Sequence, residues 1–568
     1  MNFKSIFLQN RLLRGSLGML FIGGIAIACQ DLKDMMSLDP LKDVKFTINA
    51  DPFVAPVMIK FVNANVDAVN QPTSFNVTIE GPNSSVVFMS DGSQNYKVTD
   101  GLLPLGMRSK VKPTADAPLK FTISATVPGF SPVSYNVTLT DDNASTIQIP
   151  LVEFANPAEG TSAAVVKTNL DANGSTSSTV TITAPQTATK PDVATISIAP
   201  GTQMQDATGK AVPSGQVQMN VVHYTPSSQE SVVAFPGGFI AENVVDANGQ
   251  ATDPVTFITA GFVAVDMFAG STEVKKFSKP VDVKIGLDES LINPTTGESI
   301  KAGEIVPVWS LNEETGEWKE EGTATISAGS DGKLTAQFKA AHLSFWNLDW
   351  GLFYGMKDCK RKKLTINFKS NTIKTRGNTY EVQLQTEYGA YLAGLHSQEV
   401  YDGLSVTLPQ SPAYSKVKIV VYDMWGSKQL GQTNLFNPCS IDNVTVNVNP
   451  PAPPTFVNLT FNFSVYSSSS KILTKPSGWV YMNKTTGNWW EPGTNVNMYV
   501  NTGNGVSQII KNGTYSVGAY YDKKWQQTLI TFDPSKLPMT INDKDVKGNV
   551  TYDAGSNTIT VNMTSYVK

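Results

Sequence analysis

The stretch that decides the fold class begins Gly303-Glu-Ile-Val-Pro-Val-Trp-Ser-Leu-Asn-Glu-Glu-Thr-Gly-Glu-Trp-Lys-Glu-Glu-Gly322. Residues 306–309 are mainly apolar, residues 312–316 are typical of a turn, and Trp318 begins a second run. Two such runs joined by a short polar turn predict a β-hairpin. The chain before and after this stretch consists of further β-rich segments, so we expect an all-β protein.

The same stretch ends with Ala-His-Leu-Ser-Phe-Trp-Asn-Leu-Asp-Trp at residues 341–350. Aromatic residues this dense bury a large apolar area, which predicts a plug around Trp346 at one end of a β-sandwich. His342 lies close in sequence to Ser344 and Asp349, which raises the question of a catalytic triad. Because no nucleophile motif accompanies these residues, we expect His342 to bond a backbone group, and we predict no catalytic residue.

Composition limits the classes of protein. The chain has 568 residues, which predicts about three to five domains. Charged residues make up only 16%, and the net charge is −4. Without a basic patch, nucleic acid is not expected as a partner. After residue 28 no apolar run is long enough for a membrane helix, so the rest is expected to be a soluble ectodomain.

The N-terminus carries a targeting signal. A basic start precedes an uncharged, mostly apolar run at residues 15–28, so residues 1–28 are predicted to be a signal peptide. The sequence Ala-Ile-Ala-Cys at 26–29 resembles the lipobox of bacterial lipoproteins, which implies cleavage before Cys29 and acylation of that cysteine. Ala26 departs from the leucine-like residue that the family prefers. The alternative is an ordinary secretory signal.

The residues after Cys29 bear on where the protein is exported. Residues 29–45 are predicted to form the acylated cysteine and a tether. The acidic sequence at 30–34 is similar to the export signal of Bacteroidota lipoproteins, which implies the outer membrane, facing the cell exterior. The alternative is a polar tether without targeting function.

Four β-units follow. We expect immunoglobulin-like sandwiches at 46–154, 359–449 and 455–568, and a larger β-sandwich at 164–350, with a proline linker before the last. The first, third and last units begin and end with alike strands, so they are interpreted as diverged repeats. If the domains extend in series, the last lies farthest from the membrane.

Two resemblances support an extracellular protein. Residues 127–133 and the two strands after them resemble transthyretin-like and carboxypeptidase-regulatory-like modules, which share the immunoglobulin-type sandwich. In the second unit, the pattern from Pro200-Gly-Thr through Phe235-Pro-Gly-Gly to His342-Leu-Ser resembles a module of Bacteroidota surface lipoproteins and, more distantly, of cartilage intermediate layer proteins. This resemblance implies an extracellular β-module and no reaction.

Cys359 and Cys439 are the two cysteines left after lipidation. In an oxidising compartment, and before the first and last strands of one predicted sandwich, they are expected to form a disulfide. The alternative is two free thiols.

No motif of metal-dependent or nucleophilic catalysis occurs in the sequence. The Asp171-Ala-Asn-Gly and Asp246-Ala-Asn-Gly segments offer oxygen ligands, but neither continues to the acidic residue that closes a calcium loop. They are expected to form turns, so no metal or cofactor is predicted. A hidden glycosidase stays an alternative, because its two carboxylates need no fixed spacing.

Aromatic residues concentrate in the last unit and suggest a binding surface. Sugar rings stack on exposed aromatic side chains, and if adjacent tryptophans lie in a strand they point to opposite faces. The candidate ligand-binding residues are Trp479, Trp489, Trp490 and Trp525. We expect a non-enzymatic cell-surface lipoprotein that displays binding modules, with polysaccharide as one candidate ligand. The alternatives are that these rings fill the core, or that the protein is a structural or adhesive spacer binding proteins.

Overall fold

The structure is a computed structural model, and it confirms an all-β chain. Apart from one short α-helix, α1 (Gln229–Val233), and two 3₁₀ turns (Ser84–Val86 and Pro534–Lys536), the regular elements of the described residues are β-strands. None of these helices is long and apolar enough to span a membrane. The structure describes residues 46–50, 53–108, 112–187, 192–235, 240–353, 363–374, 376, 378–408, 414, 416–423, 428–449, 455–489, 491, 493–521, 524–542 and 546–567.

The first domain is a sandwich of two sheets. One sheet has the strand order β10-β2-β7-β6-β3 with β5 beside β7, and the other has the order β4-β8-β9. Its strands are β2 (Val54–Asn63), β3 (Ser74–Asn76), β4 (Thr78–Glu80), β5 (Val87–Met89), β6 (Lys97–Thr99), β7 (Leu102–Met107), β8 (Leu119–Ala125), β9 (Val133–Leu139) and β10 (Ser145–Leu151). The strand before them, β1 (Phe46–Ala50), belongs to a different sheet, described below.

The second domain is the largest. Its strands follow the order β11-β15-β18-β26-β23-β24-β25-β20-β13-β12. They form two packed layers, and β24 passes from one layer to the other: it pairs with β23 up to Thr325 and with β25 from Ile326. Its strands are β11 (Thr161–Leu170), β12 (Val180–Ala184), β13 (Ala194–Ile198), β14 (Met204–Gln205), β15 (Gly215–Tyr224), β16 (Ile240–Ala241), β17 (Val244–Val245), β18 (Val255–Ala269), β19 (Thr272–Glu273), β20 (Lys276–Leu287), β21 (Ile292–Asn293), β22 (Glu298–Ser299), β23 (Ile305–Asn312), β24 (Glu317–Ala328), β25 (Leu334–His342) and β26 (Phe345–Phe353).

The third domain is a smaller sandwich. Its sheets have the orders β30-β27-β33 and β29-β28-β31-β32. Its strands are β27 (Leu364–Lys369), β28 (Thr379–Thr386), β29 (Tyr391–Glu399), β30 (Ser405–Leu408), β31 (Val417–Tyr422), β32 (Gln429–Gln432) and β33 (Asn443–Asn447).

The last domain packs a sheet of order β35-β34-β43-β42-β41, with β38 beside β34, against a sheet of order β37-β36-β39-β40. Its strands are β34 (Phe456–Ser467), β35 (Ile472–Pro476), β36 (Gly478–Lys484), β37 (Asn495–Val500), β38 (Asn504–Ile510), β39 (Thr514–Tyr521), β40 (Lys524–Thr531), β41 (Met539–Asn542), β42 (Val546–Asp553) and β43 (Thr558–Val567).

The three smaller domains share one topological feature. In each, the first strand pairs in parallel with the last strand: Ile59 lies opposite Ile147, Ile366 opposite Val444, and Leu459 opposite Ile559. Parallel neighbours need a long connection between them, and in each domain the remaining strands form that connection. The chain therefore enters and leaves each sandwich on adjacent strands.

The hairpin predicted from residues 303–322 is confirmed. β23 and β24 are antiparallel, and the Asn312 side chain accepts hydrogen bonds from the Glu314 and Thr315 amides at 3.0 and 3.1 Å. The Gly316 amide donates to the Asn312 carbonyl at 2.8 Å. With a φ of +68°, position 316 favours glycine.

The aromatic residues of this stretch do more than plug one end of a sandwich, which corrects the expectation from the sequence. Successive residues on a strand face opposite sides. Trp346 accordingly joins the core between the two layers, whereas Phe345 packs with Trp309 and Trp318 in a separate cluster on the other face. That cluster also contains Val152 from the first domain, along with Ala64, Ala158 and, from the third domain, Tyr391. We call it the aromatic junction.

Ring contacts hold the aromatic junction together. The Trp318 ring lies 4.8 Å from Phe257 and 5.9 Å from Phe235, measured between centroids. Phe257 also meets Trp309 edge-on at 5.1 Å, and the Trp309 indole N–H donates to the Asp349 carbonyl at 3.1 Å. Such pairs add to the free energy gained from apolar burial.

We expect Trp318→Ala to lower the free energy of unfolding by about 3–5 kcal/mol, because Trp318 is fully buried and its loss leaves a large cavity. The measurement is the urea midpoint of the unfolding transition of the second domain. On the same hairpin, Ile305 is 59% exposed, so Ile305→Ala is the control and should change stability by less than about 0.5 kcal/mol. Equal effects of the two substitutions would contradict this account.

Candidate functional site

The last domain folds back onto the start of the chain. β1 pairs in parallel with β35, with Phe46 opposite Ile472 and Ala50 opposite Pro476. The expectation that the domains extend in series, with the last domain farthest from the N-terminus, is therefore wrong. The predicted domain at 46–154 likewise begins with a strand that joins the sheet of the last domain.

Trp479 lies in the contact between the last and first domains. It is 7% exposed and packs with Tyr481 and with Met58 on β2 of the first domain. The Tyr481 hydroxyl donates to the Met58 sulfur at 3.6 Å, and burial raises the pKa of Tyr481 far above its ordinary value. Tyr499 meets Trp479 edge-on, with ring centroids 5.2 Å apart.

Trp489 also lies in a contact between domains. It is partly buried and packs against Val62 and Val66 of the first domain and Val233 of the second. The Lys60 ammonium nitrogen lies 4.8 Å from its ring centroid. This placement differs from the open, flat face on which a tryptophan would stack against a polysaccharide.

Trp490 and Trp525 are the other two candidate residues. Trp490 lies outside the described residues. Trp525 is in β40, where its backbone lies opposite Tyr520 of β39. The structure therefore brings together Trp479 and Trp489 along one contact with the first domain.

A pocket of about 350 Å³ opens beside Trp479, where the first, third and last domains meet. The last domain contributes an aromatic wall and a group of amide side chains, the third domain contributes an ion pair, and the first domain contributes small residues. The lining includes Trp479, Tyr499, Asn497, Asn501, Asn504, Arg376, Glu399, Ala144 and Thr146. Pockets for small ligands occupy roughly 300–1,000 Å³, so this pocket suits a small molecule.

Arg376 joins two of the three domains at this pocket. Its guanidinium donates to the Glu399 carboxylate at 2.7 and 3.0 Å and to the Ala144 carbonyl at 2.8 Å. Burial lowers the pKa of Arg376, but the Glu399 carboxylate outweighs this effect and raises the pKa above its ordinary value. The charged pair is thus fixed at the pocket wall, and the charges cancel.

No sequence motif marks Arg376 and Glu399 as site residues. They lie in the third domain, about 100 residues before the amide side chains that face the same pocket. The third and last domains are linked by the hydrogen bond from the Asn378 side chain to the Gln508 side chain at 3.0 Å. Only the packing of the domains brings these groups together.

His342 has structural partners, including the backbone contact expected from the sequence. One ring nitrogen lies 3.3 Å from the Leu343 carbonyl, and the other lies 3.1 Å from the Glu321 carboxylate. The nearby Ser344 hydroxyl donates instead to the Leu311 carbonyl at 2.5 Å.

The two segments considered for calcium form turns, as expected. The Asp171 carboxylate accepts from the Asn173 and Ser175 amides, both at 2.8 Å. The Asp246 carboxylate accepts from the Asn248 and Gln250 amides at 2.9 and 2.8 Å, and these hydrogen bonds lower its pKa.

Two predictions about cysteines depend on residues outside the described part of the chain. Cys439 is disulfide-bonded. Cys359 and Cys29 both lie outside the described part of the chain, so the pairing with Cys359 and the lipidation of Cys29 stay predictions.

Three carboxyl groups in the second domain are relevant to the glycosidase alternative. Burial raises the pKa of Asp266, Glu313 and Asp349 to about 7. Asp266 accepts from Asn220 at 2.7 Å, and Glu313 accepts from Lys275 at 3.3 Å. None of the three lines the pocket beside Trp479.

No protein-family model and no curated protein matches this chain. Among solved structures, it is similar to the major pilin subunit BcpA of Bacillus cereus, at 8% identity over 90% of this chain and 99% of that chain, with a TM-score of 0.13. A streptococcal ancillary pilin matches at 7% identity over 47% of this chain and 95% of that chain, also with a TM-score of 0.13. TM-scores this low carry no argument about function.

We expect docking of the last domain to depend on pH through Lys60. Burial lowers the pKa of Lys60 from its ordinary 10.5 to about 7. Undocking exposes the lysine, so between these two pH values the undocked protein binds the additional proton. Docking should therefore strengthen as the pH rises from about 7 to about 10, by up to about tenfold in its equilibrium constant per pH unit.

The measurement is the radius of gyration from small-angle X-ray scattering between pH 6 and 10. Lys60→Met keeps the apolar stem and removes the ionisable group, so docking of this variant should not change over that range. If the variant and the parent show the same pH dependence, Lys60 is not the responsible group.

Proposed function

We propose that this chain is a non-enzymatic cell-surface lipoprotein that captures an uncharged saccharide in the pocket beside Trp479. The observation that carries the proposal is the combination of Trp479 and Tyr499 with three asparagines in one pocket. Aromatic faces suit the apolar faces of sugar rings, and asparagine side chains both donate to and accept from hydroxyl groups. A sugar hydroxyl group both donates and accepts hydrogen bonds, so a site that binds it must offer acceptors and donors.

The charges of the pocket favour a neutral ligand. Arg376 and Glu399 are paired with each other, so the pocket offers no unbalanced charge to a phosphate or a uronic acid. A polyhydroxylated ligand can still accept from the guanidinium and donate to the carboxylate. Recognition by several such hydrogen bonds beside an aromatic wall is typical of small-ligand pockets.

The second candidate function is adhesion to a protein. β40 is the last strand of its sheet, and Leu529 on it is 54% exposed. An edge strand can pair with an extended segment of another protein. Protein binding without sugar binding would favour this candidate.

The saccharide is tested by presenting the chain without its signal, with Cys29→Ser, to a glycan array. For a sugar that binds, Tyr499→Ala should weaken binding by about tenfold or more, since one lost stacking contact is worth roughly 0.5–1.5 kcal/mol beyond its area burial. Tyr566→Ala is the matched control: Tyr566 is 38% exposed in the same domain and does not line the pocket. Binding lost equally in both variants, or no binding to any glycan, would contradict the proposal.

The isolated residues 455–568 give a further check. They lack Arg376, Glu399 and the first-domain wall of the pocket, so they should bind the same sugar at least tenfold more weakly. Full affinity in this fragment would locate the sugar elsewhere in the last domain.

The anchor is tested separately through Cys29. The parent chain, expressed in a bacterium with lipoprotein processing, should incorporate labelled fatty acid and sediment with membranes, because several acyl chains each contribute about 0.8 kcal/mol per buried CH₂. Cys29→Ser should abolish the label and release the protein. If this variant stays membrane-bound, the anchor is not the acylated cysteine.

A further inference from the structure

An apolar cavity of about 160 Å³ lies inside the last domain, between its two sheets. One sheet contributes Leu459 and Val561 to the lining, and the facing sheet contributes Val480 and Val517. Four methionines also line it: Met482, Met498, Met539 and Met563. This cavity is separate from the pocket beside Trp479, although Met498 touches both.

The size of the cavity suits a small apolar group. Native cores are packed as densely as organic crystals, and an empty apolar cavity lowers stability in proportion to its volume. An engineered apolar cavity of about 150 Å³ in another protein stays dry and binds benzene. The cavity in the last domain therefore has room for about six carbon atoms.

The lining indicates which kind of ligand. Methionine side chains are flexible and polarisable, so they adapt to a chain that can bend. The charged lining residues are Asp533 and Lys536, and both lie at the 3₁₀ turn Pro534–Lys536. The Lys536 ammonium lies 3.0 Å from the Asp533 carboxylate, and its side chain is 62% exposed. A ligand with an apolar end inside and a polar head at this charged turn matches this distribution.

We propose that this cavity binds the alkyl end of a medium-chain amphiphile, as in a fatty acid or an acyl group, with its head beside Lys536. Two sources have this chemistry: a free fatty acid, or an acyl chain on Cys29. The second source is within reach. Roughly 17 residues separate Cys29 from β1, which is held in the same domain, and at roughly 3.3 Å each they span roughly 55 Å.

Calorimetric titration of the Cys29→Ser chain with the series from butyrate to decanoate tests the proposal. Affinity should rise with chain length up to about six to eight carbons and then level off. Val480→Phe fills the cavity and should lower octanoate affinity at least tenfold, whereas Val480→Ala at the same position should retain binding. Val561→Phe provides a second filling variant should the first unfold, which the thermal transition reports.

The proposal is overturned if the Cys29→Ser chain binds none of the acids, if affinity is independent of chain length, or if octanoate binding is unchanged in a folded filling variant. The source is identified by comparing the lipidated parent with Cys29→Ser. If only Cys29→Ser takes up octanoate, the acyl chains of the protein occupy the cavity; if both do, the ligand is a free amphiphile. Tyr499→Ala should retain octanoate binding, which separates this site from the saccharide pocket.

Discussion

The arrangement of the domains depends on the aromatic junction. A sheet in a sandwich has one face against the core, and its other face usually meets water. In the second domain that other face carries buried rings, among them the fully buried Trp318. Those rings must be covered, and residues of the first and third domains, Val152 and Tyr391 among them, help to cover them. The first and third domains are thereby fixed to the second domain.

The parallel pairing of first and last strands complements this constraint. Because the chain enters and leaves each smaller sandwich on adjacent strands, successive domains can be joined without crossing a sheet. The last domain can then return to the first, where Trp479 and Trp489 pack against β2. A pocket lined by three domains follows from this return.

The hairpin and the all-β class could be predicted from the sequence, because alternation and turn residues are local properties. The turn at Asn312 illustrates this, since the residues that define it also make its hydrogen bonds. The partners of Trp479 and Trp489 could not be predicted. Met58 and Lys60 lie more than 400 residues away in sequence, and nothing in the spacing of the tryptophans distinguishes a sugar platform from a contact between domains. Arg376 and Glu399 were missed for the same reason.

The ladder between β1 and β35 has a mechanical meaning. Five residue pairs join the two strands in parallel, from Phe46 to Ala50. When tension on the segment before Phe46 acts along the strand and the rest of the domain resists, the hydrogen bonds of the ladder are loaded together in shear. Bonds loaded together resist more force than bonds that open one after another. While this ladder holds, the last domain would bear the tension applied to the segment before Phe46, and the other three domains would be loaded only after it breaks.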